Sequence, residues 1–257
     1  MGDKKLLAFP LLSGVISLIV LATFILPLIV AGAMSDTLFY GALFVFYLVS
    51  YFVVIFFNTA LISCVNARLQ GNEMSVGDGI SNALRHLPSI LGWALVSATV
   101  GIILNLLRER GGIFGQIAAA LVGGAWGLVT FFVVPVLVLE DKGVFDAVKE
   151  SASLIKKTWG ETIIGSGSIM LVFILVGVVG FLGVLASMVF GSPVVFGIAL
   201  ALFIVLVIIL AVLAAAMQGI FVTALYSYAR TGTVPTAFNR DLIQNAFVQK
   251  QAGSGNI

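Results

Sequence analysis

Charge is the scarcest property of this sequence. Only 9% of its 257 residues are Asp, Glu, Lys or Arg, where soluble domains carry about 25%, so a water-soluble fold is excluded. Sulfhydryl and imidazole groups are scarcer still. Cys64 is the single cysteine, which rules out an intrachain disulfide and any CxxC site. His86 is the single histidine, so a histidine metal site or catalytic dyad would have to be built around one residue. No Ser/His/Asp arrangement, metal-ligand spacing or phosphate-binding glycine loop occurs, and neither an enzyme nor a cofactor is expected. A net charge of +2, with no basic stripe interleaved with aromatics, offers nucleic acid no surface.

What is present is apolar: 61% of residues are hydrophobic and the mean hydropathy is +1.20. About 20 apolar residues suffice to cross a bilayer as a helix. Runs of that kind cover about Leu6–Ala33, Leu38–Ser63, Ile90–Leu107, Ile113–Leu139, Thr162–Phe190 and Val194–Tyr226. They predict an all-α integral membrane protein, with residues 1–257 forming one transmembrane domain of six helices, because a segment in hydrocarbon must satisfy its own backbone. The last run, about 33 residues or ~50 Å of helix, exceeds a ~30 Å hydrocarbon core and must tilt, kink or project. The first follows Lys4 and Lys5 and ends in Ala31-Gly32-Ala33, like a signal-peptide cleavage site. It is far longer than the ~7–15 residues of a signal's apolar region and is read as a retained span.

Basic residues set the expected orientation. With six spans, 11 of the 13 Lys and Arg fall on the side of both termini, and only Arg108 and Arg110 on the other. Both termini are therefore expected in the cytoplasm. Of the 24 Asp, Glu, Lys and Arg, nine crowd into "LVLEDKGVFDAVKESASLIKKTWGE" (Leu137–Glu161), where the chain would emerge on that face.

The exits from spans 2 and 6 resemble each other. "TALISCVNAR" (Thr59–Arg68) and "TALYSYAR" (Thr223–Arg230) share T-A-L-x-S and A-R, and "VFDAV" (Val144–Val148) echoes "VGDGI" (Val76–Ile80). These fragments predict three hairpin repeats, each followed by a short amphipathic helix at the membrane interface, about residues 75–88, 143–159 and 234–248. Ser75 with Asp78 makes a capping box for the first. Phe145, Val148, Ala152, Ile155 and Trp159 share a face of the second, with Phe145 and Trp159 as interfacial anchors. Phe238, Leu242, Ile243 and Phe247 form the third stripe.

The block "WGLVTFFVVPVLVLED" (Trp126–Asp141), with "FFNTAL" (Phe56–Leu61), "VGDGI" and "TWGE" (Thr158–Glu161), resembles a family of uncharacterised prokaryotic polytopic membrane proteins over about residues 40–165. The resemblance implies six spans in a prokaryotic plasma membrane. It implies no activity and no site residues.

Candidate functional groups are few. Tyr40, Phe44, Tyr47, Tyr51 and Asn58 share one face of span 2, and Thr130 and Gln218 are polar groups in spans 4 and 6. Such a face either lines a wet pathway or bridges helices by hydrogen bonds. Asp, Glu, Lys, Arg and His are absent from the span interiors, which argues against proton-coupled transport. Glu140 and Asp141, at the end of span 4, form either an acidic ring in an oligomer or a solvated helix end. Gly123 and Gly127, and the ladder Ala211, Ala215 and Gly219, mark close helix packing within the chain or between copies. The expected function is an oligomeric channel or passive pathway. The alternative is a non-conducting scaffold that binds lipid or a partner protein through its short helices.

Overall fold

The computed structural model describes residues 4–31, 36–158, 165–190 and 192–232. Every regular element among them is helical. After a 3-10 turn at Lys4–Leu7 come α1 (Ala8–Ala31), α2 (Asp36–Leu69), α3 (Val76–Arg85), α4 (Leu87–Arg110), α5 (Gly112–Val129), α6 (Val133–Leu139), α7 (Val144–Thr158), α8 (Gly165–Ser187) and α9 (Pro193–Thr231). Within these residues five helices are long and apolar enough to cross a membrane: Lys5–Leu26, Leu38–Leu69, Leu87–Arg110, Gly112–Leu139 and Pro193–Thr231. The third expected interfacial helix, at about 234–248, and Trp159 lie outside the described residues.

Burial is lopsided, and the lopsidedness tells what solvent the helices occupy. Phe9, Ala60, Ile62, Val65, Ile90, Phe132, Val136 and Leu225 are at most 1% exposed. They come from the start of α1, the end of α2, the start of α4, α6 and the end of α9, which converge at one end of the bundle. Toward the other end Ile113, Phe114, Val189 and Val194 are 70% or more exposed. Apolar surface so extensive is not stable in water; it is covered when lipid surrounds the helices. The protein is thus a membrane protein whose own core lies at one end of its apolar helices.

Successive long helices pack as pairs: α1 on α2, α4 on α5, α8 on α9. Both copies of the shared T-A-L sequence are buried, on two helices, α2 and α9, that pack together. Thr59, Ala60, Thr223 and Ala224 are all 0% exposed. Gly219 permits the approach, since a Cβ there would stand 2.4 Å from Leu61 Cδ2. α9 is unbroken and about 58 Å long at the helical rise, and its buried residues, Ala216 to Tyr226, all fall in its second half. α2 likewise runs past the expected boundary at Ser63 to Leu69. It stops where Gly71 takes φ +82° and Asn72 N–H returns to Ala67 O at 2.9 Å, a left-handed glycine stop.

α3 and α7 wedge against this end. Ser75 and Asp78 form the expected capping box. The face that packs, however, centres on Gly79 and Ala83, and Leu84 is 52% exposed. The reason is steric: a Cβ at residue 79 would lie 2.6 Å from Cys64 Sγ and 2.9 Å from both Ala60 O and Phe9 Cζ, so only glycine seats α3 this deeply. α7 turns Ala147, Ser151 and Leu154 inward and leaves Phe145 76% exposed.

The fourth apolar run is not one helix. It breaks at 130–132, between α5 and α6, because Pro135 lacks an N–H and its ring clashes with the carbonyl four residues back. The break leaves backbone donors to be satisfied. Phe132 N–H donates to Ser151 Oγ at 3.0 Å, with both residues 0% exposed. An unpaired donor at this depth would cost about 1–3 kcal/mol, so α7 is needed to hold α6 in place.

Candidate functional site

Directly on the membrane side of the buried core lies a cavity of about 480 Å³. Six helices wall it: α1 contributes Pro10 and Ser13; α2, Tyr51 and Asn58; α4, Trp93, Ser97 and Gly101; α5 and α6, Trp126, Gly127 and Pro135; and α9, Ala215, Gln218 and Gly219. The kink between α5 and α6 exposes Thr130 to this space, with Thr130 Oγ1 donating to Trp126 O at 2.7 Å.

Four of the polar groups singled out in the sequence meet here: Tyr51, Asn58, Thr130 and Gln218. Tyr47 does not reach the cavity wall but stacks on Tyr51, with ring centroids 6.2 Å apart and planes at 22°. Tyr40 lies elsewhere, against Phe39. Of the small residues, Gly127, Ala215 and Gly219 line the cavity. Gly123 instead packs on α4, where a Cβ would meet Leu104 Cδ1 at 3.4 Å, and Ala211 lies on the exposed side of α9.

Sequence reasoning missed Trp93, Trp126 and Ser97. The two indoles stack across the cavity wall, 5.8 Å between centroids and 26° between planes. Ser97 is 9% exposed. The signal available was modest: a hydroxyl in the middle of the third apolar run, and two of only three tryptophans. Neither Asn58 nor Ser97 makes a side-chain hydrogen bond to the protein among the described residues. Neither side chain is counted among the sealed unpartnered polar atoms, so both face the open space. Among the described residues no three His, Cys, Asp or Glu side chains stand close enough to hold a metal ion.

Two layers of side-chain contacts join residues in and beside α6, α7 and the end of α9 at the core end of the bundle. The first is aromatic: Phe132 and Tyr226 pack with centroids 6.0 Å apart and are 0% and 6% exposed. The second is a closed ring of alternating charge. Lys142 Nζ lies 2.8 Å from Glu140 Oε2 and 2.8 Å from Glu150 Oε2. Arg230 completes it, with Nη2 3.0 Å from Glu150 Oε1 and Nε donating to Glu140 Oε1 at 2.8 Å. Tyr226 O–H also donates to Glu140, which couples the two layers.

Burial raises the Glu140 pKa, but hydrogen bonds from Lys142, Tyr226 and Arg230 outweigh it and hold the carboxyl below its usual range. Lys142 is raised above its own by its bonds to Glu140 and Glu150. Glu140 and Asp141 therefore part company. Glu140 is neutralised within its own chain, while Asp141 turns outward at φ +52°, its side chain 89% exposed and 3.7 Å from His86 Nε2.

The family of unknown function DUF6159 matches residues 37–236, most of the chain, and the protein belongs to that family. The match agrees with the resemblance to an uncharacterised family and extends it in both directions. No curated protein and no solved structure matches the chain significantly.

Proposed function

We propose that this member of the family is a passive transport pathway for ions or small solutes, the cavity being its chamber and the core end its gate. The observation that carries the reading is the convergence of Tyr51, Asn58, Ser97, Thr130 and Gln218 on one cavity inside a protein otherwise walled by apolar side chains. Uncharged polar side chains on membrane helices commonly bond across to a neighbouring helix; here several of them face a shared space instead. In this reading the Phe132–Tyr226 contact and the Glu140–Lys142–Glu150–Arg230 ring form the gate, and conduction requires both to part. The cavity lies within one chain, so assembly into a homo-oligomer multiplies pathways without creating them. Purified protein in liposomes should pass at least one of K⁺, Cl⁻, urea, glycerol or benzamide above the protein-free rate. Liposomes tight to all five, across several pH and calcium conditions, would leave the scaffold reading, whose docking point is the exposed Phe145 of α7.

For topology we propose six spans, with α8 as the fifth and the hairpins α1/α2, α4/α5–α6 and α8/α9 as repeats. α8 is 23 residues long and carries no charge. The core end, with α3 and α7, then faces the cytoplasm of a prokaryotic cell, in keeping with the bias of Lys and Arg. The sole cysteine, Cys64, is buried and gives little background to an impermeant thiol reagent. Arg110→Cys should label in intact cells, and Lys149→Cys only after permeabilisation. Labelling of Lys149→Cys from outside would invert or break this topology.

A further inference from the structure

Among the described residues the cavity wall carries no Asp, Glu, Lys, Arg or His. An ion entering it would shed water and meet no opposite charge, which is expensive in a medium of low polarity. Its polar equipment is of another kind. Ser97, at 9% exposure, and Asn58 present a hydroxyl and an amide with no hydrogen bond to the protein among the described residues. Buried polar groups do not stay unpaired; they take water or a ligand. Beside them Trp93 and Trp126 offer an aromatic surface, of the sort that receives another ring offset-stacked or edge-on. Gly101, Gly127 and Ala215 add small side chains to the rest of the wall. The volume, about 480 Å³, falls among those of small-molecule sites.

Resting on the transport reading above, we propose that the cavity binds an uncharged aromatic solute bearing an amide or hydroxyl group. The ring lies against the Trp93–Trp126 pair, and its polar group bonds to Asn58 and Ser97. A charged analogue of the same shape is rejected because the wall has no counter-charge to offer.

Three probes of one shape separate these claims: benzamide, benzoate and benzylammonium. In a Trp159→Phe protein in lipid nanodiscs, only the two cavity tryptophans fluoresce. Benzamide should change that emission saturably, and the two ions should bind at least tenfold more weakly. Gly127→Leu should abolish the saturable signal. A Cβ at residue 127, on the cavity wall, has no atom within 4 Å, so the substitution begins in open space. Ser97→Ala, which removes one hydrogen bond, should weaken binding by roughly two- to tenfold and serves if Gly127→Leu fails to fold.

A linear, unsaturable response would mean partition into lipid and overturn the site. So would equal binding of all three probes, an unaltered signal in both variants, or a tightly held lipid that Gly127→Leu displaces. Saturable binding with no flux of any solute upholds the site and sinks the transport reading. Ion flux with no benzamide binding does the reverse.

Discussion

Asn58→Leu should cut flux at least tenfold while thermal stability stays within about 1 kcal/mol of wild type. The reasoning turns on what Asn58 touches. If its amide tied α2 to a neighbour, removing it would cost about 0.6 kcal/mol, and at most ~2, with any flux unchanged. Among the described residues the amide has no such bond; it lines the cavity, and Oδ1 lies 3.4 Å from where a Cβ of residue 219 would stand. Leu therefore breaks nothing. It replaces a hydrated group by a branched apolar one at the narrowing toward Leu61 and Val222, where an apolar constriction empties of water and blocks passage. Asn58→Ser, smaller and still polar, should retain flux. A destabilised Asn58→Leu protein with undiminished flux would make Asn58 a strut, and the path would have to lie elsewhere.

Arg230→Met should loosen the closed end, raising leak through the cavity and lowering stability by about 2 kcal/mol. The figure lies between the 3–5 kcal/mol for orphaning a buried ionic partner and the 0–1 kcal/mol for an exposed pair. The ring is intermediate: Glu140 is 18% exposed, Glu150 26%, and Arg230 and Lys142 34% each. Without Arg230, Glu140 and Glu150 face each other with Lys142 alone between them. A double-mutant cycle with Glu150→Gln should recover part of the loss, since it removes the repulsion that Arg230→Met creates. A coupling energy near zero would make the ring a surface decoration.

The same ring dictates the pH response. Glu140 titrates below its ordinary value of 4.5 in the folded protein. Its contribution is thus complete above 4.5 and lost as pH falls through the lower, folded value. Lys142 is raised above 10.5, so its contribution is complete below 10.5 and lost as pH climbs through the higher value. Between these limits the lock should be insensitive to pH. In Arg230→Met, Glu140 loses one of the bonds that depress it, and its acid transition should move to higher pH. Unfolding midpoints measured from pH 3 to 7 for both proteins test the direction; a shift to lower pH would contradict the assignment.

How much of this was legible in advance follows from the range of each interaction. Hydrocarbon forces a chain to bond its backbone locally, so apolar run length alone placed the long helices, and the residues between Ser75 and Asp78 are few enough for the capping box to be read directly. The face carrying Tyr51 and Asn58 was legible for the same reason, helical period being a local property. The T-A-L repeat was visible too, although not that the helices carrying its two copies would pack together.

What remained hidden depends on groups distant in sequence. The fourth apolar run reads as a single helix; neither its break before Pro135 nor the bond by which Ser151, 19 residues on, satisfies Phe132 is foreseen. Glu140 reads as a bare helix end until the fold brings Arg230, 90 residues away, to neutralise it. Gly79 reads as one more weak helical position until Cys64, Ala60 and Phe9 close around it. Composition and periodicity by themselves determined a helical membrane protein with a polar stripe in its second span. Only the tertiary structure decided that Tyr51 and Asn58 of the stripe face a cavity with Trp93, Trp126 and Ser97, and that Glu140 is paired with Lys142 and Arg230, because cavities and charge pairing arise only where separate helices meet.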